Sequence, residues 1–330
     1  YEAYAVGGCV RDSLLGRTPQ DWDITTSARP EQVKALFRHT IDTGIQHGTV
    51  TVMLDHEGFE VTTYRIDGEY EDARHPKEVA FTANLLEDLK RRDFTINAMA
   101  YNEVTGLVDA FDGIGDLERG VIRCVGNAME RFSEDALRML RAVRFAAQLG
   151  FSIEQETQEA IAGLAGNIKK VSAERIQVEL VKLLTSPNPG ELKVAYRMGL
   201  TAVFLPEFDV MIETPQNNPH HCCSVGEHTL KAIEAVPADK VLRLTMLLHD
   251  IAKPEVFYFD KNLIGHFPGH AVAGAAMAET ILKRLRYDTA TVREVTELVR
   301  GHMLLLPASE RAARRLLAQA GPEKTRRLLR

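Results

Sequence analysis

An α+β fold is predicted, in which a head of mixed sheet and helices is followed by an all-α neck and body. Period-two alternation of apolar and polar residues is confined to roughly the first 115 positions. From about Leu117 onward the apolar period becomes helical, and Pro187 and Pro189 interrupt it before a second helical stretch. The expected organisation is a head over 1–116, a neck over 117–188 and a body over 189–330.

In chain order, Ala3–Val6 reads as a short apolar strand running into Gly7-Gly8. Asp21–Thr26 reads as a strand with Trp22 and Ile24 opposite Asp21 and Asp23, and Pro30–Arg38 as a helix. Thr49–Leu54 and Phe59–Tyr64 alternate around Asp55-His56-Glu57-Gly58, a hairpin signature. Residues 65–76 are polar and charged and are expected to lack regular structure. Ser133 is read as a helix N-cap, with Glu134 and Asp135 in the first turn and Leu137, Leu140 and Val143 facing a core. Ile153–Ala162 and Ala173–Leu184 follow as helices, the second capped by Ser172.

The 330 residues, 45% hydrophobic and 26% charged, describe an ordinary globular chain. No run of about 18 apolar residues is present, so a membrane span is not expected, and no signal-peptide pattern is visible. Four cysteines form no disulfide framework for this length, and a reducing, cytoplasmic setting is expected. A net charge of −6 argues against indiscriminate nucleic-acid binding, but local clusters remain. Seven Lys/Arg against two Glu lie between Glu310 and Arg330, and Arg119, Arg123, Arg131, Arg138, Arg141 and Arg144 form a second basic region. Such patches serve an RNA ligand or a solvated helix face.

Two features carry chemistry. Gly7-Gly8, between a strand and a helix, lets backbone approach an anionic ligand. In a strand, Asp21 and Asp23 project from one face, and two carboxylates so placed suit Mg²⁺ beside phosphates. A two-metal site activates an attacking 3′ oxygen and stabilises leaving pyrophosphate. The competing reading is a polar strand face in solvent.

Gly7-Gly8-Cys9-Val10-Arg11-Asp12-Ser13-Leu14-Leu15-Gly16 followed by Asp21-Trp22-Asp23 resembles the first motif of class II tRNA nucleotidyltransferases (CCA-adding enzymes) and bacterial poly(A) polymerases. Arg91-Arg92-Asp93-Phe94-Thr95-Ile96-Asn97-Ala98 resembles the second, and the likeness extends through Arg131-Phe132, Glu134-Asp135-Ala136-Leu137-Arg138 and Arg141 to Phe145. The resemblance implies a polymerase-β-like head, catalytic Asp21 and Asp23 holding Mg²⁺, and triphosphate contacts from Gly7, Gly8 and Arg11. It places Asp93 and Asn97 near the incoming sugar and phosphates, and Arg141 and Arg144 near triphosphate or RNA. Glu134, Asp135 and Arg138 resemble the protein template that reads C or A, where arginine donates and carboxylate accepts. A plain Glu–Arg pair on a helix face is the alternative, worth a few tenths of a kcal/mol. The implied partners are the tRNA 3′ end, CTP and ATP, with no membrane or protein partner. The loop at 65–76 resembles one linked with the switch from C to A addition. Asp109 resembles a further motif without an assigned role. Poly(A) addition and CC- or A-only addition remain open.

The body carries Glu227-His228 and His249-Asp250, which resemble an HD-domain signature, and His266, His270 and His302 are further candidate ligands for a second divalent metal. A typical HD hydrolase closes its site with a later Asp, and none follows Asp288. An HD phosphohydrolase and a catalytically silent RNA-binding protein are the rival readings; intact Asp21, Asp23 and Glu134-Asp135-x-x-Arg138 oppose the silent one. His220-His221-Cys222-Cys223 is not read as a zinc site, because four consecutive residues do not converge on one tetrahedral ion.

Overall fold

The computed structural model describes residues 1–68, 79–216 and 223–303, together with Arg314, Gly321, Thr325 and Arg327. The described chain divides into two compact units: residues 1–142 with 151–170, and residues 143–150 with 171–330.

The first unit is built on a seven-stranded mixed sheet. Its strands are β1 (Ala3–Val6), β2 (Asp23–Thr26), β3 (Thr40–Gly44), β4 (Thr49–Leu54) and β5 (Glu57–Thr63). After a separate hairpin of β6 (Arg65–Asp67) and β7 (Val79–Phe81) come β8 (Met99–Asn102) and β9 (Gly106–Asp109), giving the order β3-β4-β5-β2-β1-β8-β9. The β2/β5 pair is parallel, and the other pairs are antiparallel. The β4/β5 hairpin turns on Asp55 and His56, both at positive φ (46° and 69°), the two-residue geometry that matches strand twist. Buried Val50, Val52 and Val61 pack with Ala28 and Val33 from α2 (Pro30–Leu36) on one side of this hairpin.

The expected structureless loop at 65–76 begins instead as a strand, because Arg65, Ile66 and Asp67 pair with Phe81, Ala80 and Val79; residues 69–78 lie outside the described residues. The expected strand over Asp21–Thr26 starts only at Asp23, where pairing with Glu60 begins.

Helices of this unit include α1 (Gly8–Leu14), α3 (Leu85–Lys90), α4 (Gly113–Arg119) and α5 (Ala128–Glu134). Ser133 is not a cap. It lies inside α5 with its Oγ donating to the Met129 carbonyl, and the chain breaks at Asp135, whose Oδ1 accepts from Leu137 N as α6 (Leu137–Leu149) begins. The division between the units falls within α6. The segment 151–170 adds α7 (Gln155–Leu164) to the first unit.

The second unit is helical. Its elements include α8 (Ala173–Leu184), α9 (Leu192–Arg197), α10 (Thr201–Phe204), α11 (Pro206–Glu213) and α12 (Val225–Ala235). α13 (Lys240–Leu248), α14 (Lys253–Val256), α15 (His270–Arg284) and α16 (Thr289–Gly301) follow, with a small hairpin of Tyr258–Phe259 and Gly265–His266. Ser172 precedes α8 in extended conformation, as expected, but its side chain makes no capping bond. No helix among the described residues is long and apolar enough to cross a membrane.

Candidate functional sites

In the first unit, Gly7 turns the chain from β1 into α1 at φ 80°, a conformation other L-residues rarely adopt. Its N–H is taken by the Met99 carbonyl, so its part in the turn is conformational. A Cβ on Gly7 would lie 3.1 Å from Arg92 Nη1. Arg92 also faces Asp23 electrostatically, and its Nε is buried without a hydrogen-bond partner among the described residues.

Asp21 and Asp23 are both exposed. Desolvation of the Asp23 carboxylate and the negative charge of Asp21 raise its pKa, opposed by Arg92 and reinforced by Glu60. The pair is therefore a frustrated, anionic, oxygen-only donor set that a hard cation would relieve, and these residues fit Mg²⁺. Glu60, the register partner of Asp23 on β5, was missed by sequence reasoning. Its signal was present in the alternation, which puts Glu60 opposite buried Val61.

Behind this edge lies a buried relay. Arg11 Nη1 donates to Asn97 Oδ1 at 2.6 Å, and Asn97 Nδ2 donates to Asp93 Oδ1 at 3.1 Å. Arg141 holds Asp93 Oδ2 with two bonds, of 2.9 and 2.6 Å. Burial opposes the Asp93 charge, but Arg141 and Asn97 overcome it and hold the carboxyl below its usual pKa range. Arg11 is also paired with Asp12 at 2.8 Å. A second organiser, invisible in the sequence, is fully buried Asp88. It receives Arg91, Arg92 and the Thr25 hydroxyl, and so fixes the Arg91-Arg92 turn beside Gly7.

Glu134 pairs with Arg138 at 2.6 Å and with Arg131. Arg138 further donates to the carbonyls of Arg91 and Arg131, which fixes its guanidinium plane. Asp135 follows α5 as its C-cap, its carboxylate turned to the start of α6. Asp109 has a structural account: its carboxylate accepts from the N–H groups of Phe111, Gly113 and Ile114 and closes the start of α4. Arg144 lies in the second unit, buried against Glu179 at 2.7 Å. All six arginines of the basic region thus have carboxylate partners, since Arg119 and Arg123 meet Asp116.

The second unit brings His228, His249, Asp250, His270 and His302 around one cavity of about 340 Å³. Two triads share Asp250: His228 with His249, and His270 with His302, the ligand atoms of each lying within 4.8 Å of one another. His249 Nε2 is 3.3 Å from His228 Nε2 and 3.1 Å from Asp250 Oδ2; His270 Nε2 is 3.2 Å from His302 Nε2. Nδ1 of His249, His270 and His302 meets the carbonyls of Met246, Phe267 and Val299 at 2.7, 2.8 and 2.6 Å. These backbone bonds aim each Nε2 into the cavity, the outer-shell arrangement that orients metal-ligating imidazoles. The mixed imidazole and carboxylate donors fit a divalent transition cation.

His302, which follows α16, supplies one side of the cluster, and Asp288 caps α16. His266 is not in either triad. It faces Asp260 at 3.0 Å at the rim of the cavity. His220, His221 and Cys222 lie outside the described residues.

Fold and sites together define a nucleotidyltransferase head joined to an HD-type helical body. The chain matches the Poly A polymerase head domain over residues 3–123, the probable RNA and SrmB-binding site of polymerase A over 150–212, and the HD domain over 220–328. It resembles the crystal structure of the Bacillus stearothermophilus CCA-adding enzyme in complex with CTP, with a TM-score of 0.76, 33% identity, and coverage of 99% of this chain and 72% of that one. The chain belongs to the CCA-adding enzyme family. The CCA-adding enzyme of Leuconostoc mesenteroides is 54% identical over 198 residues, 60% of this chain and 49% of that protein; that of Lactiplantibacillus plantarum is 55% identical over 189 residues, 57% and 46%. The chain thus spans about half the length of these curated relatives. The Thermotoga maritima CCA-adding enzyme complexed with tRNA, at 21% identity and a TM-score of 0.60, shares the fold.

Proposed function

We propose that this chain adds C, C and A to the 3′ end of tRNA from CTP and ATP, without a nucleic-acid template, in the cytoplasm. The observation that carries the reading is the frustrated Asp21/Asp23 pair at the start of the central strand β2, with Arg92 set against both Asp23 and the Gly7 turn, in a chain of this family. Asp21 and Asp23 would hold Mg²⁺, which would supply positive charge beside the triphosphate and acidity for the 3′ hydroxyl. Gly8, Arg11 and Arg92 receive the phosphates beside the turn that Gly7 makes, and Glu60 adds a third acidic group. Asp93 and Asn97 set Arg11 and Arg141 against the incoming nucleotide. Glu134 braces Arg138, which together with Asp135 offers donors and acceptors to a base edge. Arg144 supports the helix carrying them. The RNA strand is gripped by the helical body.

The test is incorporation of labelled CTP and ATP into tRNA transcripts lacking CCA, ending in C, or ending in CC. Ordered addition that stops after CCA supports the proposal. Long A tails, or addition of CC or A alone, replace it with the corresponding relative.

A second reading applies to the other unit: the His/Asp cavity holds a divalent transition cation and hydrolyses phosphoesters. It is favoured by the convergence of four Nε2 atoms on Asp250.

A further inference from the structure

The hairpin of Tyr258–Phe259 and Gly265–His266 borders the histidine cavity without supplying either triad. Its loop is built around one side chain. Asp260 Oδ1 accepts from Asn262 N at 2.8 Å and Ile264 N at 3.0 Å, while Oδ2 meets His266 Nε2 at 3.0 Å. Leu263 completes the loop at φ 60°, an uncommon conformation for a γ-branched residue. His266 stacks on Tyr258, with ring centroids 5.4 Å apart and an angle of 25°. Gly265 sits where a Cβ would lie 2.6 Å from the Gln216 carbonyl oxygen and 2.7 Å from Phe257, so the strand packs there only because the residue has no side chain. The imidazole is thus held on one face by Tyr258 and at one nitrogen by Asp260, yet remains 41% exposed at the cavity rim.

An ionised carboxylate only accepts, so Nε2 of His266 carries a proton and Nδ1 is the ring nitrogen that Asp260 does not engage. Asp260 orients the ring at the rim of the cavity, as a partner carboxylate orients a general acid. We propose that His266, set by Asp260, donates a proton to the leaving oxygen of a phosphomonoester hydrolysed in this cavity. This rests on the second reading given above. In the step, a water oxygen bonds to phosphorus and the P–O ester bond breaks. The His266 Nδ1 proton passes to the departing oxygen, and the proton shed by the water restores the imidazolium. Water and ester become alcohol and phosphate, with no other reactant. The other charged groups facing the cavity are Lys253, Asp250 and the four triad imidazoles.

A leaving group that needs no proton separates this role from a structural one. With the full chain and Mn²⁺, hydrolysis of glycerol 2-phosphate (an alkoxide leaving group) is compared with p-nitrophenyl phosphate, and Mn²⁺ binding is followed by calorimetry. His266→Gln should lower kcat on the alkyl ester by about 100-fold or more and on the aryl ester only a few-fold, with Mn²⁺ binding retained. Asp260→Asn, which removes the carboxylate that orients the ring, should likewise lower kcat on the alkyl ester more than on the aryl ester. Equal losses on both esters in either variant overturn the role of His266 while leaving the cavity reading intact. A wild-type protein that binds no Mn²⁺, or binds it and cleaves neither ester, overturns the cavity reading and this proposal with it.

Discussion

Replacing Asp93 by Asn keeps the side-chain shape but leaves the Arg141 guanidinium without the charge that holds it. Removing one partner of a buried ion pair costs about 3–5 kcal/mol. Here the Asp93 side chain is 9% exposed but that of Arg141 is 33% exposed, so water repays part of the loss. An expected cost of about 2–3 kcal/mol follows. Trp22, the single tryptophan, lies in the same compact unit, and its fluorescence reports that unit's unfolding in urea. With a slope of about 2 kcal/mol per molar urea, the midpoint should fall by about 1–1.5 M at pH 7. The pH dependence has a definite sign. Asp93 has a lowered pKa when folded, so its stabilisation is complete above the unfolded carboxylate pKa of about 3.9 and is lost as pH falls through the folded value. The gap between wild type and Asp93→Asn should therefore narrow on acidification below about pH 4. A midpoint unmoved at pH 7, or a gap that widens in acid, refutes the relay as an energetic unit.

Either Asp21→Ala or Asp23→Ala should abolish nucleotide addition, and without metal neither should lower the Trp22 unfolding midpoint, since Asp21 and Asp23 repel one another; retained transfer removes the two-metal assignment. Gly7→Ala should cost about 1–2 kcal/mol through its positive φ, read by the same unfolding curve, and should reduce incorporation. Arg138→Leu should scramble the choice between CTP and ATP more than it weakens tRNA binding, measured by single-nucleotide incorporation against filter binding. Mn²⁺ at 100 times its dissociation constant should stabilise the second unit by about 2.7 kcal/mol in thermal unfolding, and His249→Ala should remove that gain.

What could be read in the chain followed how local each feature is. The β4/β5 hairpin was legible because alternation and a two-residue turn lie within one short stretch. β3, β8 and β9 were not, because the strands are short and each is fixed by partners elsewhere in the sheet. Ser133 failed as a cap because its good local chemistry competes with a break at Asp135, whose own side chain begins the next helix. Individual site residues were visible as motifs, but their connections were not. Asp93 to Arg141 spans 48 positions and Arg11 to Asn97 spans 86, and no periodicity reports such pairs. The same holds for Asp88 and Thr25, 63 positions apart, and for the meeting of His270 and His302 across 32 positions.

The pairing of all six arginines in the basic region with internal carboxylates bears on how RNA binding responds to ionic strength. Salt sensitivity of nucleic-acid binding arises from counterions released when free cations replace them on phosphates, with a slope of about −0.7 per phosphate neutralised on single strands. A guanidinium already neutralised by Glu134, Asp93 or Glu179 displaces little of that ion atmosphere. The affinity of these two units for RNA should then fall with added salt more gently than their arginine content implies, leaving geometry and base contacts to carry a larger share of recognition.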